Sequence, residues 1–218
     1  MAAISYHKDR FILATLDIAP GHLRLENFYT GEINRGPMHE NPVSYLTVDY
    51  SGSCGASASE QGTIIRVFDC STLQVLHELR RGSSPAQISC LAFSPERNFI
   101  LAASDHSTIH IWNLQTHPSS LSQIATSYLP KYFSYTRSVM KLSLPPEISW
   151  TSPYTVDQGP VAAFTSESEF YVAHLDGNLY KCRITENESE VKIEDTKQFL
   201  EFEGETVVDG ERQWATFE

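Results

Sequence analysis

The tetrapeptide Leu79-Arg80-Arg81-Gly82 holds the chemistry around which this 218-residue sequence can be read. It ends a strand-like run, Leu73 to Leu79. Adjacent strand residues point to opposite faces of a sheet, so the two guanidiniums should diverge, one to each side. Gly82 then lets the backbone turn sharply or approach a ligand closely. A guanidinium forks onto phosphate oxygens in a way that a lysine ammonium cannot. Two of them sent in opposite directions from one point suit two neighbouring anion pockets. A solvated strand end carries such a pair just as well, so the surrounding residues decide.

Composition sets the bounds. The chain is 41% hydrophobic, 20% charged and 11% aromatic, which suits an all-β protein with a real core better than a helical bundle. Its four cysteines, Cys54, Cys70, Cys90 and Cys182, form no C-x-x-C pair and show no metal-ligand spacing. They read as small hydrophobes in a reduced, intracellular chain. No metal or other cofactor is expected. No apolar run approaches the roughly 20 residues needed to span a bilayer, so membrane contact would be peripheral. The net charge of -11 is unevenly spread. Glu186 to Glu218 hold 11 acidic and 3 basic residues, a net of -8, which leaves -3 for the rest. The body can therefore hold a local basic pocket, while the lack of a basic stripe disfavours nucleic acid.

A pattern recurs four times: Pro20-Gly21-His22-Leu23-Arg24-Leu25, Gln61-Gly62-Thr63-Ile64-Ile65-Arg66, His106-Ser107-Thr108-Ile109-His110-Ile111, and Asp176-Gly177-Asn178-Leu179-Tyr180-Lys181. Each is a turn followed by alternating apolar and polar positions, the mark of a half-buried strand. The turn residues 21, 62, 107 and 177 are spaced by 41, 45 and 70. The first two spacings match the roughly 40–45-residue period of a WD-type propeller blade. The third is one blade plus about 25 residues, which predicts an insertion between Leu114 and Leu142. Strand pairs precede the second and third copies, as in Ile88 to Pro95 and Phe99 to Ser104. The fold class expected is all-β: part of a seven-bladed WD-type β-propeller, with about four four-stranded blades. The expected domain is 1–202. Its blades fall at about 8–36, 39–80, 85–144 with an insertion at 115–134, and 158–200. An acidic, disordered tail, 203–218, follows, and deleting it would strengthen binding to an anionic membrane if it is autoinhibitory.

The run from Ser57 to Asp69, then Leu76 to Gly82, then Leu91 to Ser94, resembles the PROPPINs, the phosphoinositide-binding propellers of autophagy that are called WIPI proteins in animals. The insertion segment Tyr128-Leu129-Pro130-Lys131-Tyr132-Phe133-Ser134 resembles the branch with a short amphipathic loop in the sixth blade. The resemblance implies seven blades in the whole family fold, of which this chain would hold the fourth to the seventh. It also implies two headgroup sites at the rim, one on each side of the double arginine. The first would use His39, Ser57, Ser59, Gly62, Thr63, Arg66 and Arg80. The second would use Arg81, Gly82, Ser104, Thr108 and His110. The loop residues Tyr128, Leu129, Lys131, Tyr132 and Phe133 would contact the membrane. The ligands implied are phosphatidylinositol 3-phosphate and 3,5-bisphosphate. The place implied is cytoplasmic, peripheral on the phagophore assembly site and on autophagosomal or endolysosomal membranes, with other autophagy proteins as partners.

The residue chemistry agrees. Hydroxyls, guanidiniums, backbone N–H groups and protonated imidazoles are phosphate donors. Ser57 and Ser59 share a strand face, as do Thr108 and His110. Arg66 lies on the strand beside Arg80, so two cations can converge. With imidazole values near 6.5, His39 and His110 would strengthen binding at mildly acidic pH. Ser59 and Ser104 are also common blade-turn residues, and His39 occupies the position of a structural histidine in ordinary WD repeats; the joint presence of both sets favours the sites. The alternative function is a WD-repeat protein scaffold that has lost lipid binding. An enzyme is not expected: Gly52-Ser53-Cys54-Gly55-Ala56 is not a G-x-S-x-G elbow and lies between strands.

Overall fold

A computed structural model describes residues 1–5, 7–8, 10–106, 108–115, 136–138, 140–144, 159–174, 176–185, 187 and 189–198. The membrane-contact residues Tyr128, Leu129, Lys131, Tyr132 and Phe133 and the acidic tail 203–218 lie outside the described residues.

The described residues form strands and turns and no helix, in four sheets. The first contains β1 (Ala2–Ile4), β2 (Ile12–Leu16), β3 (His22–Asn27) and β4 (Ile33–Pro37) in sequence order. The second contains β5 (Val43–Val48), β6 (Cys54–Ser59), β7 (Ile64–Asp69) and β8 (Val75–Arg80). The third contains β9 (Ile88–Phe93), β10 (Phe99–Ser104), β11 (Thr108–Asn113) and β13 (Met140–Ser143). The fourth contains β14 (Val161–Phe164), β15 (Glu169–Ala173), β16 (Asn178–Ile184) and β17 (Val191–Gln198). Each is an antiparallel meander, as a propeller blade requires. A two-residue strand, β12 (Thr136–Arg137), adds to the second sheet: it runs parallel to β8, with Thr136 opposite Leu79 and Arg137 opposite Arg80.

Alternation explains why these sheets stack. In β7, Ile65 and Val67 are buried on one face while Arg66 lies on the other. Ile65, Val67 and Leu79 pack with Ile100, Ala102 and Trp112 in the seam between the second and third sheets. Phe68 emerges on the opposite face and joins Leu23, Leu25, Met38 and Leu46 in the seam with the first sheet. A third cluster, including Leu101, Ile111, Phe170 and Val172, joins the third and fourth sheets. Each middle blade is thus apolar on both faces, and burial on the order of 25 cal/mol per Å² of apolar surface drives the stacking.

The recurrent turns abut the linkers to the following blade. Gly62 has φ +58°, and a Cβ there would fall 1.8 Å from the Ala86 carbonyl oxygen. Gly21, with φ +73°, is held the same way against the His39 carbonyl at 2.0 Å. Glycine is required at both places by conformation and by space. The seams are also clasped at the other end of the strands. Glu167, ahead of β15, accepts hydrogen bonds from Ser94 Oγ (2.6 Å) and from the backbone N–H groups of Glu96 (2.9 Å) and Asn98 (3.0 Å).

Candidate functional site: two polar seams diverging from Arg80-Arg81

The register of the second sheet decides where its cations go. Ile64 lies opposite Arg80, Ile65 opposite Leu79 and Arg66 opposite Glu78. Paired residues share a face, so Arg66, Glu78 and Arg80 share the face toward the first sheet, and Leu79 turns into the core toward the third. Leu79 is fully buried there. Beyond the end of β8, Arg81 turns toward the third sheet. The two arginines therefore diverge across the second blade.

In the first seam, His39 follows β4 and is buried, with Nε2 2.9 Å from Ser57 Oγ. Ser57 lies opposite Arg66 in the β6–β7 ladder and is wholly buried. Ser59, also buried, ends β6 on the same face. Arg66 is engaged: its Nε and Nη2 lie 2.7 Å from Glu78 Oε1, and Nη1 donates to the Met38 carbonyl. The arrangement is a hydroxyl–imidazole pair beside a guanidinium whose charge is matched by a carboxylate.

In the second seam, Arg81 Nε donates to the Gly62 carbonyl (2.8 Å), and Nη2 donates to the Ser84 carbonyl (2.5 Å). The Arg81 backbone N–H donates to the Thr63 carbonyl at 2.9 Å. Gly62 and Thr63, grouped with the first site in the sequence, thus also hold Arg81 through their carbonyls. Gly82, half-buried, has open space where a Cβ would stand. Ser104 ends β10 fully buried, and its Oγ accepts from the His106 N–H at 3.4 Å. Thr108 Oγ1 donates to the His106 carbonyl at 3.2 Å. His110, buried on the same face as Trp112, stacks on that ring (5.9 Å between centroids, 22° between planes), and its Nδ1 lies 3.2 Å from Ser138 Oγ.

The electrostatics correct one expectation. Neither imidazole keeps an ordinary value. Burial first, and the Arg66 charge second, pull His39 down to about 4. Burial, then Lys141 and Arg81, pull His110 down to about 4. Both rings are neutral at mildly acidic pH in the unliganded protein, so they offer one donor and one acceptor and no charge. Burial also lowers the Arg81 value, against the opposing pull of Asp105.

The structure thus distributes the predicted residues over two adjacent seams, joined by the Arg80-Arg81 peptide. Sequence reading missed Glu78, the Met38 and Ser84 carbonyls, and Ser138. Glu78 was legible in principle, since it stands two residues before Arg80 on the strand beside Arg66. A cleft of about 1210 Å³ opens elsewhere, between the third and fourth sheets near Asn98, Phe99, Glu167 and Arg183, and no predicted site residue lines it.

The family model for PROPPIN matches residues 31–142, more than half of the chain and including every predicted headgroup residue. The chain belongs to the PROPPIN family. The match begins before β4 and ends within β13, so this PROPPIN chain carries the family signature across both seams. Autophagy-related protein 18e of Arabidopsis thaliana is 26% identical over 96% of the chain and 56% of that protein. WD repeat domain phosphoinositide-interacting protein 1 of Xenopus laevis is 38% identical over 44% of the chain and 23% of that protein. Kluyveromyces lactis Hsv2 superposes with a TM-score of 0.69 at 18% identity, covering 91% of the chain and 62% of that structure. KlAtg21, solved in a complex with a coiled coil of AgAtg16, superposes with a TM-score of 0.65 at 19% identity, covering 91% and 57%. These structures share the β-propeller fold, of which the chain forms a part. The chain spans little more than half of the length of the Arabidopsis relative.

Proposed function

We propose that this protein is a peripheral phosphoinositide-binding effector in autophagy. It reads phosphatidylinositol 3-phosphate and 3,5-bisphosphate through two headgroup sites, one in each polar seam. Arg66 and Arg80 with His39, Ser57 and Ser59 serve the first; Arg81 with Ser104, Thr108 and His110 serves the second. The observation that carries the reading is the divergence of Arg80 and Arg81 into two successive seams, the first lined by the buried Ser57, Ser59 and His39 and the second by the buried Ser104 and His110 with the half-buried Thr108. Arg81 uses two of its five N–H donors on carbonyls, which leaves donors for phosphate oxygens. The segment Tyr128, Leu129, Lys131, Tyr132 and Phe133 adds an aromatic membrane contact. Two weak headgroup contacts on one rigid body raise avidity about a hundredfold or more. The site of action is the cytoplasmic face of phagophore, autophagosomal or endolysosomal membranes.

The test is flotation of the purified chain on vesicles with and without phosphatidylinositol 3-phosphate, beside an Arg80→Thr/Arg81→Thr variant. The reading requires that the wild type float only with the lipid and that the variant stay down. A second reading, a WD-repeat scaffold without lipid binding, draws on the Arg66–Glu78 ion pair, which satisfies one cation with no ligand present. The coiled coil bound to KlAtg21 gives the class of partner such a scaffold would take. A folded wild type that floats with neither vesicle supports this alternative.

A further inference from the structure

One buried indole orients two groups of the second seam. Trp112 is wholly buried, and the His110 ring stacks on it at 5.9 Å and 22°. Trp112 Nε1 donates to the Thr136 carbonyl at 3.3 Å. The same side chain therefore sets the plane of the imidazole and the height of β12, the strand that returns from the insertion. β12 is also fixed along its length by its parallel pairing with Leu79 and Arg80. Ser138 follows it directly and is half-buried, and its Oγ lies 3.2 Å from His110 Nδ1.

The contact decides which ring nitrogen can serve a ligand. Nδ1 is taken by the serine, and Nε2 has no hydrogen-bond partner among the described residues. Burial keeps the ring neutral near neutral pH, helped by Lys141, which stands opposite it on β13, and by Arg81 from the second blade. A neutral imidazole carries one N–H and one lone pair. A lone pair at Nε2 repels a phosphate oxygen, whereas an N–H there makes a charge-assisted hydrogen bond to it. A hydroxyl can donate or accept, so Ser138 can donate to the Nδ1 lone pair, which leaves the ring proton on Nε2. The first seam holds its imidazole by the other nitrogen: there Ser57 Oγ lies 2.9 Å from His39 Nε2.

We infer that Ser138 is a positioning residue of the second seam: its hydroxyl donates to His110 Nδ1 and holds the ring in the tautomer that presents Nε2–H to a phosphate oxygen. The inference rests on the phosphoinositide reading above. It adds a residue from beyond the insertion that acts on the ligand only through the ring. Without the hydroxyl, the stacked ring keeps its plane against Trp112 but loses the contact that selects its tautomer.

The experiment has two parts. Nitrogen NMR of the wild type with soluble inositol 1,3-bisphosphate near neutral pH reads the tautomer directly. His110 is expected to show a protonated Nε2 and an unprotonated Nδ1. A proton on Nδ1 overturns the inference, and this spectrum needs no variant to fold. Flotation then uses vesicles that carry phosphatidylinositol 3-phosphate, or phosphatidylserine at matched charge. It compares the wild type with Ser138→Ala, Ser138→Thr, His110→Gln and the Ser138→Ala/His110→Gln double variant, each checked for folding by its denaturant midpoint. Ser138→Ala is expected to lose about threefold to tenfold in affinity for the phosphoinositide vesicles alone, and Ser138→Thr, which keeps the hydroxyl, less than about twofold. In the His110→Gln background the alanine should add less than about twofold, because the serine then has no imidazole to hold. A full further loss in that background, or an unchanged Ser138→Ala, overturns the role of Ser138 while the wild type still shows whether the chain reads the lipid. A folded wild type that does not float with phosphatidylinositol 3-phosphate overturns the phosphoinositide reading, and the inference falls with it.

Discussion

Arg66 and Glu78 face each other across β7 and β8, and both the Nε and Nη2 of Arg66 lie 2.7 Å from the same carboxylate oxygen, Oε1. The pair is partly exposed, so it contributes little to stability, about 0–1 kcal/mol. Its larger effect is on availability: a phosphate entering the first seam must compete with Glu78 for the guanidinium.

Glu78→Gln should therefore favour binding. The substitution removes a competing charge and one source of repulsion from an incoming anion. We expect affinity for vesicles bearing phosphatidylinositol 3-phosphate to rise about threefold to tenfold, with unfolding free energy lowered by no more than about 1 kcal/mol. Vesicle titration and urea melts measure the two quantities. A fall in affinity would mean that Glu78 positions Arg66 for the ligand instead of competing with it.

Gly62 offers a contrast with Gly31. Both have positive φ, +58° and +71°, but a Cβ at Gly62 meets a carbonyl at 1.8 Å while one at Gly31 meets nothing within 4 Å. Gly31→Ala should cost only the conformational term, about 1 kcal/mol. Gly62→Ala must also push the Ala86 linker away and should cost about 3 kcal/mol or more. It also disturbs the carbonyl that holds Arg81 Nε. Denaturant midpoints of the two variants compare them directly; equal midpoints would refute the steric account.

The blade repeat was legible because its spacing and its alternation come from local constraints. Gly21, Gly62 and Gly177 all have positive φ in the structure, as turns between alternating strands require. The divergence of Arg80 and Arg81 was legible too, since it needs only the two-residue period of a strand. The depressed imidazoles were not. His39 and His110 sit in seams made by two blades, and burial there is a tertiary property that no local pattern reports. Nor was β12: a two-residue parallel addition has no periodicity of its own, and its place depends on Trp112 and His110 in another blade. β1, at Ala2–Ile4, lies ahead of residue 8, where the first blade was expected to begin, in a stretch too short to show alternation.

Glu167 tests how far stability and binding separate. Its carboxylate accepts two backbone N–H groups and the Ser94 hydroxyl of the third blade, at the end of the strands away from Arg81. Glu167→Ala leaves those donors to water or unpaired, a loss of about 1–3 kcal/mol. Vesicle binding by the folded protein should stay within about twofold of wild type. A stability loss with intact binding is the expected pair of results; a large binding defect in the folded variant would show that the seams are coupled along their length.

The two histidines set the pH dependence. In the unfolded chain they titrate near 6.5, while folding depresses both to about 4. Between those values the unfolded state binds more protons, so stability rises with pH across the window. The contribution is fully present above about 6.5 and is lost as pH falls toward about 4, on the order of 3 kcal/mol for each ring at most. His39→Gln and His110→Gln should each flatten the stability profile between pH 4 and 6.5, as measured by denaturant melts at a series of pH values. Lipid binding should have the opposite slope. A phosphate beside either ring favours the imidazolium and raises its pKa, so binding draws in a proton and affinity increases as pH falls below the ligand-bound value. Acid thus weakens the empty protein below about pH 6.5 and strengthens its complex below the ligand-bound value. Affinity that stays flat from pH 7.4 to 5 would place the phosphates away from both imidazoles and leave the arginines and hydroxyls as the ligands.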